Sequence, residues 1–481
     1  MNTRTAFLPA LTLALVGGCD QPNYMPNGLT DVESLAVTLV SPPLGMRGTA
    51  DNPLMNTHDV AINVQAIDGL KNPYTKSISV DVYISYGGQK IGTIDPCGKN
   101  ESTTALTTLT LDATGKFNSK GLNNTGCSTD KDCGAGTHCV NTMCMIHLDK
   151  AYGSATLWLQ QHPDASGVSH GFGASDAMVF PNPTIPEIQT PADLAATTAT
   201  YCTPFNNAQV DIVSATGNTG QLVVTSVFSS AYVVCDTGAP MVTTNGVDSG
   251  GFNCLYVYTF GQPPFFVTPG RLMASLTGDI SKFVGFSELN FPTQNPISSM
   301  EPVTVPDPYL LGAADQPAGN ASMIHLLRMA GSTVKITGQV CPIDQTTTTG
   351  KDWVQYNTFQ LQQFDSTGKP TSAGCVVFNT FGIALPQKTL GTLDPIKCMP
   401  KSVTGNGCNI TVTGMLKNSS GQNDDLGTTG KATVCRSPSD CVAAGLAASD
   451  PCVEGTCKNG VYNFWTIVPR TADDIVINKM N

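Results

Sequence analysis

The chain has 481 residues, 25 Lys and Arg against 36 Asp and Glu, 47 Gly, 32 Pro and 17 Cys, with 13% of positions charged, where an ordinary soluble domain carries roughly 25%. At roughly 100–200 residues per domain, this length predicts two to four domains, each with a core of its own. The net charge of −11 argues against a coat for nucleic acid or anionic membrane, which needs a basic surface, and 41% hydrophobic residues rule out a globally disordered chain.

The amino terminus opens with Arg4, continues through an apolar run over residues 6–16, and reaches Val16-Gly17-Gly18-Cys19. The run is too short to span a bilayer as a mature helix. The small residues before Cys19 resemble a bacterial lipobox. That resemblance implies that residues 1–18 are a lipoprotein signal peptide, that Cys19 becomes the lipidated first residue, and that residues 19–31 tether the folded part of the chain. An ordinary secretory signal, with Cys19 entering a disulfide, is the alternative. No later segment reaches ~18 consecutive apolar residues, so the lipid would be the membrane anchor. The expected address is exported and lipid-anchored, in the outer membrane or at the cell surface.

Residues 32–183 alternate apolar and polar positions. Ile78, Val80, Val82 and Ile84 are separated by Ser79, Asp81 and Tyr83, and the same period recurs at Val60, Ile62 and Val64, at Leu109 and Leu111, and at Ala155, Leu157 and Leu159. Period two means half-buried strands. Short strands at this spacing between Gly, Asn and Pro turns predict an immunoglobulin-like β-sandwich. Pro181, Pro183, Pro186 and Pro191 then predict a stiff linker over 184–200.

Setting Cys19 aside leaves sixteen cysteines, enough for eight disulfides and typical of a chain that matures outside a reducing cytosol. Cys127, Cys133, Cys139 and Cys144 form one cluster and Cys435, Cys441, Cys452 and Cys457 a second. Both begin C-x5-C and end C-x4-C. The first, CSTDKDCGAGTHCVNTMC, resembles the Dickkopf-like knots that recur in secreted proteins and lipoproteins of myxobacteria and their relatives, and the second is a looser match with a longer middle loop. Inserts at 127–144 and 435–457 are therefore expected to be disulfide knots. Zinc is the competing reading, but structural zinc favours C-x2-C to C-x4-C pairs. Asp130 and Asp132 either hold calcium or solvate their own turn. Cys97, Cys202, Cys235, Cys254, Cys341, Cys375, Cys398 and Cys408 are scattered staples whose pairing the sequence leaves open.

Residues 201–300 show strands at 221–227, 232–235, 255–260, 272–276 and 283–291. The stretch PGRLMASLTGDISKFVGFSELNF resembles the last two strands of OB-fold-like domains found beside some secreted bacterial nucleases, so a β-barrel is expected here. Residues 301–330 form a connector whose segment 321–329 fits either a helix or a buried strand. Residues 331–481 read as a repeat of the barrel, because Leu276-Thr277-Gly278 and Val412-Thr413-Gly414 each precede a loop and an aromatic-rich strand. Ile336-Thr337-Gly338 would lie in its first strand, and the second knot would be an insertion in its last hairpin. The whole chain is thus expected to be all-β: an Ig-like sandwich, then two OB-like barrels, with two knot insertions.

Chemistry-bearing motifs are absent: there is no G-x-S-x-G, H-E-x-x-H, G-x-x-x-x-G-K-[ST] or complete G-x-G-x-x-G. The six histidines, His58, His138, His147, His162, His170 and His325, include no close pair at a helical metal spacing, and the loop bracketed by His162 and His170 reads as solvated. Asp424-Asp425 and Asp473-Asp474 are adjacent, whereas glycosidic carboxylates are set apart across a substrate. No catalytic residue, metal ligand or cofactor is expected. Residues 205–300 carry two basic and five acidic residues and make a poor nucleic-acid groove, while residues 331–481 are near neutral. Trp353, Tyr356 and Phe359 in that last block are the candidate ligand-binding aromatics. The expected function is a non-catalytic, lipid-anchored binding or assembly module whose partner is an envelope protein or glycan, nucleic acid not being expected. The alternatives are an accessory or degenerate secreted nuclease or hydrolase, and a carbohydrate-binding module using Trp353 or Trp158.

Overall fold

The computed structural model describes residues 31–49, 53–54, 58–86, 89–91, 105–148, 151–165, 167–191, 203–214, 221–240, 250–283, 286–297, 301–312, 315, 320–340, 358–361, 381–384, 408–418, 452–453, 456–457 and 465–479. The protein is all-β, with a sandwich followed by two barrels.

The sandwich uses β1 (Val32–Ser41), β2 (Asp59–Asp68), β3 (Ile78–Tyr86), β4 (Gln89–Ile91), β5 (Thr107–Leu111), β6 (Lys116–Phe117), β7 (His138–Val140), β8 (Met143–His147), β9 (Gly153–Gln161), β10 (Phe172–Ala174) and β11 (Met178–Phe180). One layer pairs β1, β2 and β6, and the other pairs β5, β3, β9 and β10; β10 returns to β1 through the parallel pair Ser34↔Phe172. Leu35, Leu39, Val60, Ile62 and Val64 face Val80, Val82, Ile84, Leu109, Leu157 and Leu159 in one buried cluster. Fully burying each such side chain is worth about 1.5–3 kcal/mol. A one-residue slip would turn the whole set outward, so the alternation fixes the register. Asp81 and Tyr83 depart from the expected polar face, because both are buried. Asp81 accepts a hydrogen bond from Thr108 Oγ1 at 2.7 Å and meets His162 Nδ1 at 3.0 Å, which gives the buried carboxylate its partners.

The expected linker is structured up to residue 191. Thr184 caps α1 (Ile185–Gln189), with Glu187 reaching back to the Thr184 N–H at 2.8 Å; this capping box satisfies donors the helix would otherwise leave open. Pro186 sits in the first turn, where its missing N–H costs nothing, so proline here starts a helical turn rather than stiffening a free strap. Ile185 and Ile188 are fully buried in a core that runs unbroken from the sandwich into the next unit, where Tyr152 meets Phe205 edge-on at 5.3 Å.

That unit, barrel one, comprises β12 (Gln209–Ile212), β13 (Leu222–Val227), β14 (Ala231–Asp236), β15 (Cys254–Tyr258), β16 (Leu272–Phe283) and β17 (Phe286–Pro296). Strand β13 pairs β14 and β16, β14 pairs β15, β15 runs parallel to β17, and β17 pairs back to β16, which closes a five-stranded ring with β12 alongside. Closure leaves no open edge among the five ring strands.

The expected connector supplies β18 (Tyr309–Leu310) and α2 (Asn320–Met329), so the segment fitting either helix or strand is a helix. Barrel two comprises β19 (Thr333–Gln339), β20 (Thr358–Leu361), β21 (Phe381–Ala384), β22 (Asn409–Asn418), the small ribbon β23 (Cys452–Val453) and β24 (Thr456–Cys457), then β25 (Trp465–Val468) and β26 (Ile475–Lys479). Its ring has the same connectivity as barrel one: β19 with β22, β22 with β25, β25 parallel to β21, β21 with β20, and the bridge Val340↔Leu361 closing it. Leu276-Thr277-Gly278 and Val412-Thr413-Gly414 lie on the equivalent fourth strands, and Ile336-Thr337-Gly338 on the first strand. Both glycines are there for close approach. A Cβ on Gly278 would stand 2.5 Å from Asn290 O, and one on Gly414 2.6 Å from Val468 O.

The two barrels share an interface. Val233, Cys235 and Cys254 of barrel one pack with Met415, Val468 and Tyr256. Lys417 places its ammonium 4.7 Å from the centre of the Phe286 ring, and its charge acts on the buried Glu288. Burial pushes the Glu288 carboxyl up and the Lys417 amine down, outweighing their mutual attraction.

Candidate functional site

OB-like barrels commonly bind ligands on the face of their second and third strands. In barrel one that face, β14 and β15, is covered by Met415 and Val468 of barrel two. The cleft remaining beside it, lined by Thr225, Asn253, Asp307, Tyr309 and Ser332 among others, has a volume of about 40 Å³, far below the ~300–1,000 Å³ of small-molecule sites. Asp315 accepts from the Gly312 N–H at 2.6 Å and meets His325 Nε2 at 2.5 Å, and this buried pair lies outside the lining of the cleft.

The exposed chemistry of barrel one is aromatic and lies at the end of β15 and the middle of β17. Opposite Gly278 the pairing shifts from Thr277↔Thr293 to Asp279↔Asn290, so one residue faces two, Phe291 and Pro292. This is a β-bulge, which re-aims side chains. It holds Phe291 at φ 50°, with the residue 69% exposed. Tyr258 is the parallel partner of Asn290, and two residues on, Phe260 sits at φ 58° and is 55% exposed. The Thr259 N–H donates to Ser230 O at 2.9 Å, and Thr259 Oγ1 donates to Gly261 O at 2.6 Å, fixing the turn around it. The rings form a ladder: Tyr258 to Phe260 at 4.5 Å, and Phe260 stacked on Phe291 at 4.6 Å. Further along the same connection Phe266 packs on the core while Phe265 is 94% exposed. Left-handed backbone at a bulky residue costs of order 1–3 kcal/mol and gathers at functional sites. Here two such residues hold neighbouring rings out of the core.

The sequence had pointed to barrel two instead. Phe359 is only 2% exposed and belongs to the barrel core, which corrects its assignment as a ligand platform. It stands opposite Ile383 on β20–β21, and alternation turns both inward. Trp353, Tyr356 and Cys19 lie outside the described residues, as do Asp424-Asp425, Cys435 and Cys441. Trp158 is half-buried against Phe172 at 5.9 Å. Asp474, of the other carboxylate pair, is buried and receives Arg470 Nε at 3.0 Å and Nη2 at 2.7 Å. Despite the cost of burial, those hydrogen bonds hold it below the usual carboxylate range. That is a turn lock between β25 and β26.

In the first knot the disulfides are Cys127–Cys139 and Cys133–Cys144. Among the described residues the sulfur atoms of Cys127, Cys133 and Cys144 also cluster closely, but as disulfides they offer no thiolate to zinc. Asp132 accepts the N–H groups of Ser128 and Thr129 at 2.8 Å each, which lowers its pKa, and Asp130 accepts that of Cys139 at 2.7 Å. These carboxylates solvate the backbone of the turn. Cys139 and Cys144 are direct partners on β7–β8, and Cys452 and Cys457 are direct partners on β23–β24, so the second cluster repeats the hairpin of the first. Cys235–Cys254 staples β14 to β15, and Cys408 is also disulfide-bonded. Cys97, Cys202, Cys341, Cys375 and Cys398 fall outside the described residues.

In the loop bracketed by His162 and His170, His162 binds Asp81 while His170 lies 3.8 Å from Asp164. His138 and His147 converge on Asp59, with the His58 ring 6.3 Å from that of His147; no linear spacing announces the meeting of the two strand histidines with Asp59, because β2, β7 and β8 bring them together. Several disulfides fit an exported or extracellular protein, and among the described residues no helix is long and apolar enough to cross a membrane. The chain matches no protein family, no curated protein and no solved structure.

Proposed function

We propose that this protein is a non-catalytic binding module of the cell envelope, tethered through a lipid on Cys19, which presents the Tyr258–Phe260–Phe291 ladder of barrel one to a protein partner. The observation that carries the reading is the pair of exposed, left-handed phenylalanines stacked at 4.6 Å. Each covers one face of its neighbour, so the ladder is a compact apolar knob rather than a row of separate flat platforms. A knob suits insertion into a partner's pocket, where aromatic anchors supply most of the binding energy.

The acidic balance of barrel one and the coverage of its second and third strands by barrel two both weigh against nucleic acid. The knots and staples fit this role, since an exported β-array gains stability from cross-links in an oxidising compartment. The test is the double substitution F260S/F291S, compared with wild type for cross-linked complexes in native envelopes. Loss of a discrete complex with the fold retained supports the reading. An unchanged complex removes it, and glycan-array binding that depends on these rings would replace it with the carbohydrate reading. Mass spectrometry of the mature amino terminus tests the anchor at Cys19.

A further inference from the structure

We infer that His138, His147 and Asp59, with His58 beside them, form a binding site for a divalent transition metal of the zinc class at the junction of the first knot and the sandwich. The site arises from strand register. Strand β8 lies between β2 and β7, with Asp59 opposite His147 and His138 opposite Met145. Opposed residues share a face, and so do residues two apart on one strand. Asp59, His147 and His138 therefore project from the same side of the ribbon.

Asp59 Oδ1 stands 2.8 Å from His147 Nδ1 and 3.1 Å from His138 Nε2. Adjacent ligand atoms around a tetrahedral ion with bonds of about 2.0 Å lie roughly 3.3 Å apart; each nitrogen stands near that distance from the carboxylate oxygen, but the three atoms do not all lie within 4.8 Å of one another, so the two rings must close toward each other to share an ion. His58 lies near this set, its ring 6.3 Å from that of His147 and stacked parallel on Phe180 at 5.9 Å. The His138 and His147 ring centres are 6.2 Å apart. Drawing their nitrogens onto one ion takes ring rotation at His147, which is 58% exposed and has room to turn.

Imidazole with carboxylate selects zinc, nickel or copper over calcium and magnesium, which want oxygen alone. The nearby cysteines are closed as disulfides and do not compete. Two ligands come from the β7–β8 hairpin that ends the knot and one, Asp59, from β2 of the sandwich, so a bound ion would clamp the hairpin to its platform.

The experiment uses the mature chain, treated with chelator and kept under non-reducing conditions, titrated calorimetrically with Zn²⁺ and separately with Ca²⁺. One equivalent of Zn²⁺ should bind in the micromolar range or tighter, with no matching heat from Ca²⁺. H147Q and H138Q should each weaken Zn²⁺ binding by about tenfold or more, whereas H162Q, whose ring is held by Asp81, should leave it unchanged. Near-UV circular dichroism checks that each variant keeps its fold, and the ring resonances of His138 and His147 should shift on Zn²⁺ addition. The inference is overturned if Zn²⁺ fails to bind, or if binding survives both H138Q and H147Q; in either case Asp59 serves only to pin the knot.

Discussion

Replacing Lys417 by Met should weaken the joint between the two barrels, and the structure sets the size of the loss. Glu288 on β17 is buried and takes its cationic influence from Lys417 on β22, with Asn290 and Ser281 as hydrogen-bonding neighbours. Removing the ammonium leaves the buried Glu288 carboxylate without the charge that opposes its desolvation, at a cost of about 1–3 kcal/mol. Loss of the ammonium over Phe286 adds about 1–2 kcal/mol. Adding E288Q removes the stranded charge, so the double variant K417M/E288Q should regain most of that loss. Urea denaturation monitored by the fluorescence of Trp465, buried in the core of barrel two, reads all four proteins of the cycle. The pH dependence has a defined sign. Burial raises the Glu288 carboxyl above its unfolded value, and K417M takes away the charge that opposes that rise. The folded state then binds its proton more tightly than the unfolded state, so the K417M deficit should shrink as pH falls through the raised folded value toward the ordinary carboxylate range. Losses that add within about 0.5 kcal/mol, with no pH dependence, would refute the coupling of the barrels through this pair.

Gly278→Ala places a Cβ 2.5 Å from Asn290 O, so the bulge that carries Phe291 must shift; the expected loss is about 1–3 kcal/mol, read by denaturation, together with weaker partner capture. Asp474→Asn weakens the lock with Arg470 and should cost about 2 kcal/mol at neutral pH. Because the folded Asp474 carboxyl lies below its ordinary value, that stability is present above the unfolded pKa and lost as pH falls through the folded one. Wild-type and D474N melting curves should therefore converge in acid.

Much of the architecture was legible because period-two burial repeats over many residues. The run from Ile78 to Ile84 fixed a strand, and the shared Thr-Gly step at Gly278 and Gly414 marked equivalent strands, since both need space for a neighbouring backbone. The linker misled because Pro186 at the first turn of a helix looks the same in sequence as proline in an extended strap. Phe359 misled because an aromatic on a short strand faces inward or outward according to a register that only the pairing with Ile383 settles. The exposed ladder had a local trace in Thr259-Phe260-Gly261-Gln262-Pro263-Pro264, a turn with an aromatic where glycine or asparagine would be easier. Its partner Phe291 depended on a bulge across β16. The histidine cluster had no trace at all, because β2 lies about eighty residues from the knot hairpin in sequence and meets it through the pairing of Asp59 with His147.

The central claim, that barrel one presents its aromatic ladder to a protein partner, is tested most directly by site-specific photocrosslinking in native envelopes. A photoreactive phenylalanine analogue would be placed at Phe260, Phe265 or Phe291, and at Leu122, an exposed apolar position on the sandwich, as the control. The account predicts one discrete protein adduct shared by the barrel-one positions, absent from Leu122, and lost from position 291 when Phe260 is changed to Ser. Adducts of equal yield at Leu122, or none at the three barrel positions, would contradict it.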